Sequence, residues 1–150
     1  MYNKRRIRFT AALFAVLLCT SFIGNVYAVN DTVYSERASY YLDYYDAWAT
    51  ASSRHTVVIS FDVDATGIMD VVGASYIVIQ ENNNGVWSGV ASFFGSSTIG
   101  MLAYNTNSHT GSVSCTGTVG KQYRALVTIY AEDDSGSDSR TVTTSTVTAS

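Results

Sequence analysis

The chain predicts an all-β domain, and three observations carry that expectation. Val, Thr, Tyr, Ser and Gly dominate residues 29–150, a composition that suits a pleated, half-buried surface. Short runs of alternating apolar and polar residues recur between turn signals at near-regular spacing, as in a sandwich or barrel. Long helical periodicity is missing, and none of the 150 residues is proline.

Residues 1–28 read as a secretory signal peptide. Lys4, Arg5, Arg6 and Arg8 make a basic start, an apolar run follows over 11–23, and Gly24-Asn25 breaks it. Val26 and Ala28 then occupy the two positions a signal peptidase reads. The apolar run, at about 13 residues, falls short of the roughly 20 that span a bilayer. Cleavage after Ala28 is expected, then a flexible segment over 29–35 and one β-sandwich domain over 36–150. Leu18 before Cys19 argues against lipidation. Thr148-Ala149-Ser150 carries no apolar tail, so a secreted, extracellular product is expected, with no membrane contact after cleavage.

The mature 122 residues are enough to build one core without metals or disulfides. Four of the nine basic residues leave with the signal and all twelve acids stay, so the net charge falls to −7. Nucleic acid and anionic lipid both need basic patches that displace counterions, and neither is expected as a partner. Cys115 is the one mature cysteine. It alternates onto the face of Val113 and reads as a small buried hydrophobe.

The strands follow in order. Over 36–50, strand alternation groups Tyr40, Leu42, Tyr44, Asp46 and Trp48, whereas helical spacing groups Ala38, Tyr41, Tyr45 and Trp48. The strand is preferred because every neighbouring segment is β; alternation does not say whether these rings face core or solvent. Residues 56–64 alternate cleanly, with Val57, Ile59, Phe61 and Val63 on one face. Residues 75–81 form another run. It meets Asn82-Asn83-Asn84-Gly85, and Asn-Gly accepts the positive φ of a tight hairpin turn into Val86-Trp87. The Gly/Ser/Asn-rich stretch 93–109 holds one irregular strand near 99–104, and 112–116 forms a short one. Along 121–131, Tyr123, Ala125, Val127, Ile129 and Ala131 share a face. A turn over 132–138 leads to a threonine-rich strand over 140–148. Val57, Ile59, Phe61, Tyr76, Val127 and Ile129 are the expected core.

Gly120-Lys121-Gln122-Tyr123-Arg124-Ala125-Leu126-Val127 resembles the sixth strand of fibronectin type III and immunoglobulin-like domains. There a tyrosine enters the strand after a turn and its hydroxyl bonds back to the chain. Tyr76 is similar to the aromatic of the third strand. Phe61 stands where a fibronectin module usually has tryptophan, and the flanking prolines are missing. The resemblance implies a single sandwich of about seven strands over residues 36–148. A narrower resemblance is to short secreted proteins of Gram-positive, often gut-dwelling, bacteria that form a family of unknown function. It is carried by Ser39-Tyr40-Tyr41-Leu42-Asp43, Phe61-Asp62-Val63-Asp64-Ala65-Thr66-Gly67 with Met69-Asp70, Gly120 to Ala125, and Asp134 to Arg140. It implies a source and a size class, and no activity.

Chemistry is sparse in the chain. Asp62, Asp64 and Asp70 match the opening of an EF-hand-type calcium loop, but Gly73 stands where a bidentate glutamate should close it. A solvated strand end is the preferred reading, and no cofactor is expected. His55 and His109 sit in no nucleophile–base or zinc-pair setting, so no catalytic residue is assigned and no enzyme is expected. Tyrosine and tryptophan pair an apolar ring with a polar tip, which suits a wet binding surface. Tyr44, Trp48 and Trp87 are therefore the candidate ligand-binding residues. A non-enzymatic contact with a protein or cell surface is the expected function, with carbohydrate binding as the alternative.

Overall fold

The computed structural model describes residues 39–52 and 54–150; the expected signal peptide, the segment 29–35 and residues 36–38 lie outside the described residues. Seven strands form among them: β1 (Leu42–Ser52), β2 (Thr56–Asn83), β3 (Val86–Phe94), β4 (Leu102–Thr116), β5 (Gln122–Asp133), β6 (Gly136–Thr143) and β7 (Val147–Thr148). All join a single antiparallel sheet, so the all-β expectation holds. The sheet curls, in a manner compatible with sandwich packing.

The 28-residue β2 is the axis of the sheet. Along one side it pairs first with β1 and then with β5; along the other it pairs first with β4 and then with β3. The sequence reading split this strand in two at 65–74. Instead the chain bends while both flanks keep their partners. Between Asp64 and Met69, β2 runs through extra residues opposite β4, and Thr66 N–H instead reaches the Tyr41 carbonyl at 3.1 Å. A second irregularity puts Ser75 between Ala74 and Tyr76 opposite consecutive residues of β5. Its hydroxyl donates to the Thr128 carbonyl at 3.2 Å.

The inward set inverts twice along β2, between Met69 and Val72 and again at Ser75, where one extra residue flips a period of two. Val57, Ile59, Phe61, Val63 and Ala65 are buried, then Met69, then Val72 and Ala74, then Ile77 and Ile79. Tyr123, Ala125, Val127, Ile129 and Ala131 of β5 close the same core, as their alternation predicts. Tyr76 corrects the expected core. The bulge at Ser75 sends Ile77 inward and leaves Tyr76 half-buried, its hydroxyl near Ser92 and its ring 4.8 Å from Phe94.

Two hairpins fall where the turn residues put them. Asn83 pairs with Val86, leaving Asn84 and Gly85 as the two-residue loop with φ of 54° and 91°. The Asn82 side chain accepts Gly85 N–H at 2.7 Å. Asp133 pairs with Gly136 at the β5–β6 turn. The 93–109 stretch departs from expectation: residues 95–101 turn, and β4 then runs as one element to Thr116, taking in the strand expected over 112–116. After β6, Thr144 carries the chain into β7. Its hydroxyl accepts Ala125 N–H at 2.9 Å, and its own N–H reaches the Ala125 carbonyl at 2.9 Å.

Tyr123 makes the back-bond that its position after Gly120 predicts. Its hydroxyl accepts Thr118 N–H at 2.7 Å and donates to the Glu81 carboxylate on the neighbouring strand. The ring is 1 % exposed, so both bonds sit at the edge of the core. Tyr123→Phe should cost about 2 kcal/mol, since it strips a charged acceptor and a backbone donor at once. Urea denaturation reads this directly; a loss below about 0.5 kcal/mol would mean that water replaces both bonds freely.

Candidate functional site

Outward-facing aromatics gather on two parts of the sheet. The first lies on β1. Leu42 is buried, but a register shift between Leu42 and Tyr44 turns the next residues over. From there Ala47 and Ala49 face the core, while Tyr44, Asp46 and Trp48 face out. The strand preferred over a helix for this stretch is thus present, and its rings are surface rings. Tyr40 is 88 %, Tyr44 48 % and Trp48 37 % exposed. Tyr44 and Trp48 lie four residues apart on one face, about 13 Å along the strand.

The neighbours of these rings are polar. Opposite Tyr44, Asp46 and Trp48 on β2 stand Asp64, Asp62 and Ser60. One strand further, opposite those three, are Ser108, Thr110 and Ser112 of β4. The rings therefore border an acidic, hydroxyl-rich face. Asp62 is half-buried and Asp64 and Asp70 are exposed; Asp70 sits beyond the first irregularity of β2. Among the described residues, no three His, Cys, Asp or Glu side chains gather as a metal-binding group.

Trp87 belongs to the second part, on β3, which pairs with the far end of β2. The register does not bring it to Tyr44 or Trp48. The Arg124 guanidinium lies 4.3 Å from the Trp87 ring centroid, and its Nε donates to Gln80 Oε1 at 2.9 Å. This cation–π stack covers one face of the indole. Asn82, directly opposite Trp87, lines a groove of about 570 Å³ with Asn84, Lys121, Gln122 and Thr148. Asn82 donates to Gln122 at 3.1 Å and Lys121 to Asn83 at 3.0 Å, so amide groups order its walls. On the same strand pair, Phe94 is 54 % exposed beside Tyr76.

Sequence reasoning missed Arg124, Phe94 and the groove. Counting outward from the Asn84-Gly85 turn finds Asn82 opposite Trp87. It misses Phe94 opposite Tyr76, because a shift between Ile79 and Gln80 moves the register by one. His109, at the end of the Gly/Ser/Asn-rich stretch 93–109 and past the strand expected near 99–104, is a strand residue. It lies within β4, its Nε2 2.9 Å from the Gly100 carbonyl and its ring tilted against Phe61 at 5.7 Å. That contact pins the 95–101 turn. His55 lies in the turn before β2, with φ of 62°.

Cys115 is free and half-buried beside the core, and burial pushes its thiol up from the usual range. At the β5–β6 turn, hydrogen bonds from the Ser135 hydroxyl and N–H hold the Asp133 carboxyl low. Burial pushes the Asp138 carboxyl up, but bonds from Ser39, the Ser139 N–H and the Arg140 guanidinium outweigh it and leave it low. A scan against protein-family models finds no match, and a search of curated proteins finds no relative.

Proposed function

We propose that this chain is a secreted, non-enzymatic interaction module, an immunoglobulin-like β-sandwich that contacts a protein or cell surface through the outer face of β1. One observation carries the reading: Tyr44 and Trp48 stand exposed on one strand face beside Asp46, Asp62 and Asp64. Large rings with polar tips are the anchors of protein contacts, and the adjoining carboxylates suit a partner that offers cationic or hydroxyl donors. The basic start, apolar run and Val26/Ala28 pairing support export, with no cofactor required. The resemblance to short secreted Gram-positive proteins supports the same setting.

The groove beside Trp87 favours a second reading, carbohydrate binding. Amide side chains and Lys121 offer the donors and acceptors a sugar needs, and Trp87 stands one strand over, opposite Asn82. The two readings separate by mutation. Labelled protein should bind cell surfaces saturably, and Tyr44→Ala with Trp48→Ala should weaken that binding at least about tenfold with the fold intact. Trp87→Ala should leave it unchanged. Glycan-array binding that disappears in Trp87→Ala would replace the first reading with the second.

A further inference from the structure

Among the described residues five strands of the curled sheet have one unpaired side: β1, β3, β4, β6 and β7, the last only two residues long and too short to template a partner. An open edge is a row of backbone donors and acceptors ready to pair with another chain, and proteins ordinarily block it with charge, bulges or side-chain bonds. Three of these edges are blocked. On β1, the Asp46 carboxylate accepts the Ala47 N–H at 2.8 Å, and a register shift disturbs the strand at Leu42. On β6, Asp138 accepts the Ser139 N–H at 2.7 Å and Arg140 donates to the Ser139 carbonyl at 2.8 Å. On β3, the shift between Ile79 and Gln80 leaves Val90 as an extra residue opposite β2.

The first half of β4 is also interrupted. Asn105 takes a φ of 52°, and the Thr106 hydroxyl turns onto the Ser108 backbone. Residues 110–116 have no such device. They pair in unbroken register with β2 on one side, and among the described residues no other backbone bond reaches them. The charge pattern sharpens the contrast. Between Glu81 and Lys121 the sequence holds no Asp, Glu, Lys or Arg, so β3 and β4, which share one side of β2, carry no formal charge.

We propose that residues 110–116 of β4 pair antiparallel with the same residues of a second copy, about a two-fold axis at Val113. Two acidic chains repel across their β1, β5 and β6 sides and can approach most closely along the uncharged one. The segment is self-complementary: centring on Val113 sets Ser112 opposite the partner's Ser114 and Thr110 opposite the partner's Thr116, hydroxyl against hydroxyl. The pairing extends the sheet through both copies and leaves the β1 aromatics outside the contact, so it stands independently of the surface reading above.

Sedimentation of the full chain across the micromolar range, with reductant present to exclude a Cys115 cross-link, tests the pairing. A dimer is expected whose population rises with concentration. Ser112 and Ser114 are exposed, so Ser112→Glu with Ser114→Glu keeps the fold while setting like charges opposite each other twice. That variant should weaken dimerisation at least about tenfold. Ser139→Glu, on the blocked β6 edge, should dimerise as the unmodified chain does, and circular dichroism should match for all three. A chain that stays monomeric throughout, or a glutamate variant on β4 that dimerises unchanged, would overturn the proposal. A monomer that still binds cell surfaces would overturn it without touching the β1 reading.

Discussion

Phe61→Ala is expected to remove about 4 kcal/mol of stability, the largest effect of any single truncation in the core. Phe61 is fully buried near the middle of the first half of β2, opposite Ala47 on one side and Gly111 on the other. Both neighbours are small, so the ring fills the space above them. A methyl group added to Gly111 would overlap that ring. His109 leans on the ring from β4 and holds the Gly100 carbonyl. Alanine would open a cavity that flanking Ala and Gly side chains are too short to fill, and it would loosen the 95–101 turn. A loss of this size consumes much of the roughly 5–15 kcal/mol that a domain has in total. Urea denaturation should show a lower midpoint at an unchanged slope. A loss under about 1 kcal/mol would mean that the site collapses around the missing ring.

Gly73→Ala is expected to cost about 3 kcal/mol, for a different reason. Gly73 has a φ of 144°, a conformation that a side chain resists. A methyl group there would also overlap the Met101 carbonyl oxygen, and Met101 is fully buried. That oxygen already accepts the Ala74 N–H at 2.8 Å and joins the end of the 95–101 turn to β2, so it cannot withdraw without breaking a buried bond. Gly67 is the natural control. It lies at the other irregularity of β2, with nothing within 4 Å of an added methyl group. Gly67→Ala should change stability by no more than about 0.5 kcal/mol. Thermal melts of the two variants side by side separate the outcomes, and equal melting points would refute the steric account.

Individual strands were legible in the chain because their information is local. Val57, Ile59, Phe61 and Val63, and again Tyr123 through Ala131, alternate as a half-buried strand must, and each set is buried as a set. Asn84-Gly85 announced its own turn through the one backbone conformation those residues accept readily. Tyr123 declared its back-bond because it enters a strand just after a glycine turn. What escaped was everything that depends on a count of residues across a partner. Thr66, Gly67 and Gly73 read as the end of a strand, since their types permit a turn and nothing nearby forbids it. They lie inside β2 because, after the pairing with β1 ends at Ala65, β4 resumes pairing at Met69 and β5 pairs from Val71 onward. Tyr76 and Ile77 exchanged places for the same reason, as one extra residue at Ser75 inverts the inward set. The faces of Tyr44 and Trp48, the packing of His109 on Phe61 and the meeting of Arg124 with Trp87 are likewise properties of strand pairs. A side chain's face is set by the register its strand adopts against its neighbours, and register is a long-range quantity that no local pattern encodes.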